Sequence, residues 1–208
     1  MDNTITIALA KGRLGKQAYK ILKKIGLGDS IDLDSRKLIF KDEKNKIDYI
    51  YVKPSDVVTY VEKGVADLGI VGKDVILEND TDIYEILDLG FGKCKFSIAS
   101  IKGQNIYKKD DTLKVATKYP EISKKYFKEK QQKIEIIKLN GSVELAPLVK
   151  LSDVIVDLVE TGDTLKANGL EVIEDMFNIS ARLICNRISY RFQYDRIQNI
   201  TKLLENNL

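Results

Sequence analysis

"DVIVDLVETGDTLKANG", Asp153 to Gly169, changes character twice in one short run. Val154, Ile155 and Val156 are consecutive β-branched residues, the pattern of a strand buried on both faces. "ETGDT" then brings Gly162 for a tight turn, with hydroxyls and carboxylates around it, and a short helix from Thr164 to Asn168 stops at Gly169. A strand that feeds a turn at a helix start is the repeating unit of α/β folds. It also gathers unpaired backbone N–H groups at the positive end of a helix dipole, where an anion is favoured. In this turn Gly162 permits close backbone approach, and Thr161 and Thr164 add hydroxyl donors. Asp157, at the strand end, is suited to accept hydrogen bonds from sugar hydroxyls rather than to meet a phosphate.

The rest of the chain repeats the unit. "TITIALA" (Thr4 to Ala10) reads as a strand, "KGR" as its turn, and "LGKQAYKILKKIG" as a helix with Leu14, Ala18, Ile21, Leu22 and Ile25 on one side and Gly26 as its cap. "KLIF" and "IDYIYV" read as a hairpin pair, Pro54 to Asp56 open a helix closed by Gly64, "ADLGIVG" is a buried strand, and "KDVILEN" a short helix. A Gly-x-Gly turn at Gly90 and Gly92 leads into a new strand near Lys93, where a second β/α series begins. It runs "LKVATK", a helix from Pro120, "KIEIIKL", a helix begun by Ser142, and "DVIVDLV". "ISARLICN" and a helix from Tyr194 to Leu204 complete one lobe or the other. The alternation predicts parallel sheets covered on both faces, in two lobes: 1–90 plus about 178–208, and 91–177.

A chain of 208 residues with 44% hydrophobic content can bury a core. Lys+Arg 34 against Asp+Glu 31 is too balanced for a general nucleic-acid surface, so any anion site is local. Cys94 and Cys185 have no CxxC partner and there is no histidine, which argues against a zinc site or a disulfide framework and for reduced thiols in a cytoplasm. The amino end has the wrong charge order for a signal peptide, and no apolar run approaches the roughly 20 residues of a membrane span. Without histidine the commonest general base is missing, so chemistry must rest on charge and position.

The Thr-Gly-x-Thr turn resembles the phosphoribosyl-diphosphate motif of the common phosphoribosyltransferases, although Val156 stands where the first acid of that motif's acidic pair would be. "ALAKGRL", "SRKL" (Ser35 to Leu38), "VADLGIVGKDV", "LGFGKCK", "ATKYP", "NGSVELAP" and "DLVETGDTLKANGLEV" occur in order. Together they resemble the ATP phosphoribosyltransferase family, from Ile5 to about Asn186, in its short catalytic-subunit form without the regulatory domain of the long form. The resemblance implies an α/β chain of two lobes around a cleft, resembling the periplasmic-binding-protein-like type II fold. It also implies a reaction: adenine N1 of ATP attacks C1 of phosphoribosyl diphosphate and releases pyrophosphate, the first step of histidine biosynthesis. Mg²⁺ would be carried mainly by the substrate phosphates. The implied partners are a second copy and a regulatory subunit resembling histidyl-tRNA synthetase, in a hetero-oligomer with neither nucleic acid nor membrane.

Carried over by motif, Asp157 takes the ribose hydroxyls and Thr161, Gly162, Asp163 and Thr164 the 5-phosphate, with Glu160 contributing only its backbone N–H. Lys11, Gly12 and Arg13 face phosphate, and Arg36 grips the pyrophosphate or ATP phosphates with its planar fork. Arg13, Arg36 and Asp157 are the residues assigned to catalysis. Lys53 is a phosphate ligand or an edge-strand lysine. Asp67 contacts ATP or is a capping or paired carboxylate. Gly92 and Lys93 approach ligand at a crossing that also serves as a hinge turn, and Glu144 faces the cleft or caps its helix. Cys94, Tyr119 and Phe127 are read as packing residues. Two alternatives compete: a two-lobed small-molecule binding protein without catalysis, and a phosphoribosyltransferase acting on another base.

Overall fold

The computed structural model describes residues 4–29, 31–32, 35–104 and 112–208. The chain divides into two compact units, Met1–Gly92 with Ser180–Leu208, and Lys93–Ile179. The first holds β1 (Ile5–Ala10), α1 (Arg13–Lys24), β2 (Ile39–Asp42), β3 (Ile47–Val52), α2 (Val57–Glu62), β4 (Leu68–Gly72), α3 (Lys73–Glu78) and β5 (Ile83–Asp88). The second holds β6 (Cys94–Ile101), β7 (Leu113–Thr117), α4 (Pro120–Glu129), β8 (Ile134–Lys138), α5 (Leu145–Leu148), β9 (Val154–Val159), α6 (Asp163–Ala167) and β10 (Leu170–Ile179). The chain then returns to the first unit as β11 (Ala181–Asn186), α7 (Arg187–Phe192) and α8 (Tyr194–Glu205).

In the first unit the strand order is β2-β3-β1-β4-β11-β5, and in the second β10-β6-β9-β7-β8. β1 runs parallel to β3 and β4, and β7 parallel to β8 and β9. The other pairings, β2 with β3, β11 with β4 and β5, and β6 with β9 and β10, are antiparallel. The expectation of parallel sheets is therefore corrected: both sheets are mixed. Each βαβ crossover dictates a parallel pair, but β11 re-enters its sheet from the second unit and runs against β4, and strand-helix alternation carries no sign of that reversal.

β1 is buried on both faces because its alternate residues serve two layers. Ile5, Ile7 and Leu9 pack with Ala18 and Leu22 of α1 and Ile197, Ile200 and Leu204 of α8. Ala8 and Ala10 pack with Val57, Val58 and Val61 of α2. β9 does the same in its sheet: Val154 and Val156 meet Phe96 and Phe127, while Ile155 meets Val143, Ala146 and Leu165. Each such aliphatic side chain contributes roughly 1.5–3 kcal/mol on burial. Tyr119 and Phe127 are core residues as expected, and Phe96 meets Tyr119 edge-on at 4.9 Å.

Two elements depart from the expected reading. The helix expected from Ser142 is only Leu145–Leu148. Ser142 lies before it at φ 49, and its carbonyl accepts the Leu145 N–H at 3.2 Å in a turn. β10 was not anticipated, because Glu171, Glu174 and Asp175 interrupt the alternation expected of a strand. Register shifts lie between Val172 and Glu174 and between Asp175 and Phe177, so bulges re-aim these acids along the strand.

Candidate functional site

In the second unit β9 ends at Val159 and α6 starts at Asp163, leaving Glu160, Thr161 and Gly162 as the turn. Gly162 has φ 76 and ψ 8, the left-handed conformation that other residues adopt at a cost. A Cβ there would meet Val159 Cγ1 only at 3.8 Å, so the backbone angle rather than space requires glycine. The turn is held locally: the Lys166 N–H donates to the Gly162 carbonyl at 3.0 Å, and the Thr161 hydroxyl donates to Asp163 Oδ2 at 2.7 Å. Thr161, Asp163 and Thr164 are exposed, as is Glu160.

Asp157 is half-buried on β9, directly opposite Ser97 on β6. Strand alternation puts it on the face that carries Ile155 and Val159. α5 and α6 cover that face through Val143, Ala146 and Leu165, so Glu144 and the turn stand over the same side of the sheet as Asp157. Glu144 makes no side-chain capping bond to α5. Ser97 in turn faces Asp175 of β10, to which its hydroxyl donates at 2.8 Å, while Lys95 Nζ donates to the other carboxylate oxygen at 2.6 Å. Lys95 foremost, then Ser97, hold the Asp175 carboxyl below the usual carboxylate range. This cation-carboxylate pair beside Asp157 was missed from sequence because its strand was missed.

In the first unit the carboxyl ends of β1 and β3 lie side by side, and the Lys11 N–H donates to the Val52 carbonyl at 2.8 Å. α1 starts immediately above β1. A Cβ on Gly15 would fall 1.7 Å from the Ala10 carbonyl oxygen, so only glycine lets the first helical turn close over the strand tip. A pocket of about 390 Å³ opens there, lined by Lys11, Gly12, Lys16, Asp32, Ser35, Arg36, Lys37, Phe40 and Tyr51. Four of these are cations and one is an acid, a local positive field in a nearly neutral chain. Burial, and then the neighbouring Tyr19, push the Tyr51 hydroxyl up to about 12, so it stays protonated as a donor at neutral pH. No hydrogen-bond partner for that hydroxyl is present among the described residues.

The pocket thus unites Lys11, Gly12 and Arg36. Lys53 follows β3 next to Lys11 and Arg13 opens α1; both are exposed and neither is in the pocket wall. Lys16 and Lys37 were missed, although the four-residue spacing from Gly12 to Lys16 signals that the two share a helical face; in the structure the Lys16 N–H donates to the Gly12 carbonyl at 3.1 Å. Gly92 ends the first unit and the exposed Lys93 starts the second.

Asp67 belongs to a different place. Its N–H donates to the Thr6 carbonyl at 2.9 Å, level with the amino half of β1. Lys11 lies five positions further along that strand's direction, roughly 16 Å away at strand rise. The Asp67 carboxylate accepts from Thr6 N at 2.8 Å, Ser189 Oγ at 2.6 Å and Gln193 Nε2 at 3.1 Å. Of the two roles expected for Asp67, these donors match the paired, fold-holding carboxylate.

A family model described as "HisG: ATP phosphoribosyltransferase" matches residues 53–206. An ATP phosphoribosyltransferase of Clostridioides difficile is 75% identical over 201 residues, covering 97% of each chain. One of Clostridium acetobutylicum is 54% identical over 206 residues, covering 99% of this chain and 96% of that one. Among solved structures, the ATP phosphoribosyl transferase (HisG:HisZ) complex from Thermotoga maritima superimposes with a TM-score of 0.85 at 34% identity, covering 98% of each chain. The periplasmic aliphatic sulphonate binding protein of Escherichia coli gives a TM-score of 0.64 at 14% identity, covering 100% of this chain and 69% of that one, a likeness of fold alone.

Proposed function

The chain belongs to the ATP phosphoribosyltransferase family, the enzymes of the first step of histidine biosynthesis, and from that premise we propose how its residues divide the work. The turn from Thr161 to Thr164 holds the 5-phosphate of phosphoribosyl diphosphate through backbone N–H groups and hydroxyls, and Asp157 accepts from the ribose hydroxyls. The observation that carries this assignment is Gly162 in its left-handed conformation, which turns the chain between the end of β9 and the start of α6. The Lys11–Gly12 turn, Arg36, and the newly found Lys16 and Lys37 take the pyrophosphate or the ATP phosphates. Lys53, Gly92, Lys93 and Glu144 are supporting contacts in this reading.

In the reaction a bond forms from adenine N1 to C1 of the ribose as the bond from C1 to the diphosphate oxygen breaks. Alignment of the two substrates and stabilisation of the departing polyanion supply the acceleration, and neither task needs histidine. Arg13 and Arg36 meet the charge that develops on the diphosphate, while Asp157 fixes the ribose. Mg²⁺ is expected to arrive with the phosphates and neutralise part of that charge.

The protein is further proposed to work as a homodimer within a hetero-oligomer with a histidyl-tRNA-synthetase-like regulatory subunit. The Thermotoga maritima neighbour, itself a HisG:HisZ complex, supports this. Among the described residues no helix is long and apolar enough to cross a membrane. A cytoplasmic location is proposed because a chain with only two cysteines carries no disulfide framework in its sequence. The test mixes ATP, phosphoribosyl diphosphate and Mg²⁺ with the protein, with and without the regulatory subunit. The adduct and pyrophosphate should appear together in equal amounts, and their absence under both conditions rejects the assignment.

A further inference from the structure

Thr161 and Asp163 are bonded to each other inside the turn assigned to the sugar phosphate. The Thr161 hydroxyl donates to Asp163 Oδ2 at 2.7 Å, and the Asp163 N–H approaches Thr161 Oγ1 at 3.4 Å. A threonine hydroxyl carries one proton to donate. In this structure that proton is committed to a carboxylate. A phosphate oxygen that is to receive it must take it from Asp163, and the competitor is itself an anion in the same turn. Two negative groups cannot share one donor without repulsion, so the carboxylate must leave when the phosphate arrives. Asp163 is exposed, so it can swing into water and be solvated there at little cost.

We propose that Asp163 is an internal stand-in for the phosphate, a latch that occupies the Thr161 hydroxyl in the empty turn and lowers the affinity of the site for the anions that need it. The proposal rests on the assignment of the turn to the 5-phosphate. Its chemical consequence is a threshold. A phosphate monoester, with close to two charges and three strong acceptor oxygens, displaces the carboxylate. Every anion that needs the Thr161 proton must open the same latch, so the cost falls equally on phosphate esters and on sulfate, and unphosphorylated ribose does not compete for it.

The experiment is a calorimetric titration of the full chain with ribose 5-phosphate, and separately with sulfate. It compares wild type, Asp163→Ala, Asp163→Asn, Thr161→Val and the Thr161→Val/Asp163→Ala double variant, with thermal midpoints as the folding control. Asp163→Ala is expected to tighten ribose 5-phosphate by about threefold to tenfold, and sulfate by a similar factor, with Asp163→Asn between it and wild type. Thr161→Val should weaken ribose 5-phosphate. The discriminating comparison is the cycle: once Thr161 is valine, removing Asp163 should gain clearly less than it gains in wild type. Equal gains in both backgrounds would mean plain charge repulsion and overturn the latch, as would an Asp163→Ala variant that binds no tighter. Ribose 5-phosphate that binds wild type and Thr161→Val equally well removes the turn as the phosphate site, a failure of the underlying assignment. Failure of every protein to bind it sinks both.

Discussion

Asp67 Oδ1 accepts the Ser189 hydroxyl proton at 2.6 Å, tying the start of β4 to α7 across 122 residues of chain. The other oxygen takes the Thr6 N–H at 2.8 Å, so one carboxylate joins three elements of the first unit. Asp67→Ala should therefore cost about 2–3 kcal/mol of stability through the donors it orphans. The Michaelis constant for ATP should stay within about twofold, since no lost contact is at the substrate. Urea denaturation read beside ATP kinetics checks it, and a large rise in that constant with unchanged stability would restore the ATP contact.

Lys16 faces the pocket with Lys11 and Arg36. Lys16→Ala is expected to weaken inhibition by added pyrophosphate by about fivefold, the scale of one partly exposed charged contact, and Arg36→Ala by more because a planar fork grips two oxygens. Stability should change by less than about 0.5 kcal/mol for Lys16→Ala, as for most surface substitutions. Pyrophosphate inhibition curves for the variants, fitted beside wild type, measure the difference.

Gly15 is held against the Ala10 carbonyl, where an added Cβ would fall at 1.7 Å. Gly15→Ala must push α1 off the tip of β1, at a cost of about 1–3 kcal/mol or more. The Lys11–Gly12 turn moves with the helix, so kcat/KM should fall even at temperatures where the variant remains folded. Steady-state kinetics below the unfolding transition, beside a thermal melt, separate the two effects.

Burial pushes the Cys185 thiol from its ordinary 9.0 up to about 12, and burial likewise pushes Tyr51 from 10.0 up to about 12. Both groups ionise earlier in the unfolded chain than in the folded one. Their contribution is complete below the unfolded values and is lost as pH rises toward the folded ones. The urea midpoint should hold steady up to about pH 9 and fall between about pH 9 and 12, and Cys185→Ala should move the onset upward. A flat midpoint across that range would contradict the burial of both groups.

How much of this was legible in the sequence differs by element. β1 and β9 were readable because each is buried on both faces and so is apolar nearly throughout. Gly26, Gly64 and Gly169 marked helix ends by chemistry that no tertiary contact overrides, and each has a positive φ. Strand direction was hidden, since the reversal of β11 against β4 depends on where the chain re-enters the sheet. β10 was hidden by its acids, whose placement makes sense only with partners in view: Glu174 accepts from Tyr126 at 2.6 Å and Asp175 from Ser97 at 2.8 Å. α7 was passed over although Asn186 caps it, accepting from the Ile188 and Ser189 N–H groups at 2.9 and 3.0 Å. At the candidate site, the Thr-Gly-x-Thr turn and Lys11, Gly12 and Arg36 were carried by local motifs. Tyr51 and Lys37 were not, because a pocket wall is assembled from residues distant in sequence.

The central claim is that the turn after β9 grips the terminal phosphate of the sugar. A crystal of the full chain grown with phosphoribosyl diphosphate tests it most directly. The 5-phosphate should lie within hydrogen-bond distance of the backbone N–H groups from Thr161 to Thr164, with the ribose hydroxyls at Asp157 and the Asp163 carboxylate turned away. Ligand bound elsewhere, with Thr161 still bonded to Asp163, would contradict it.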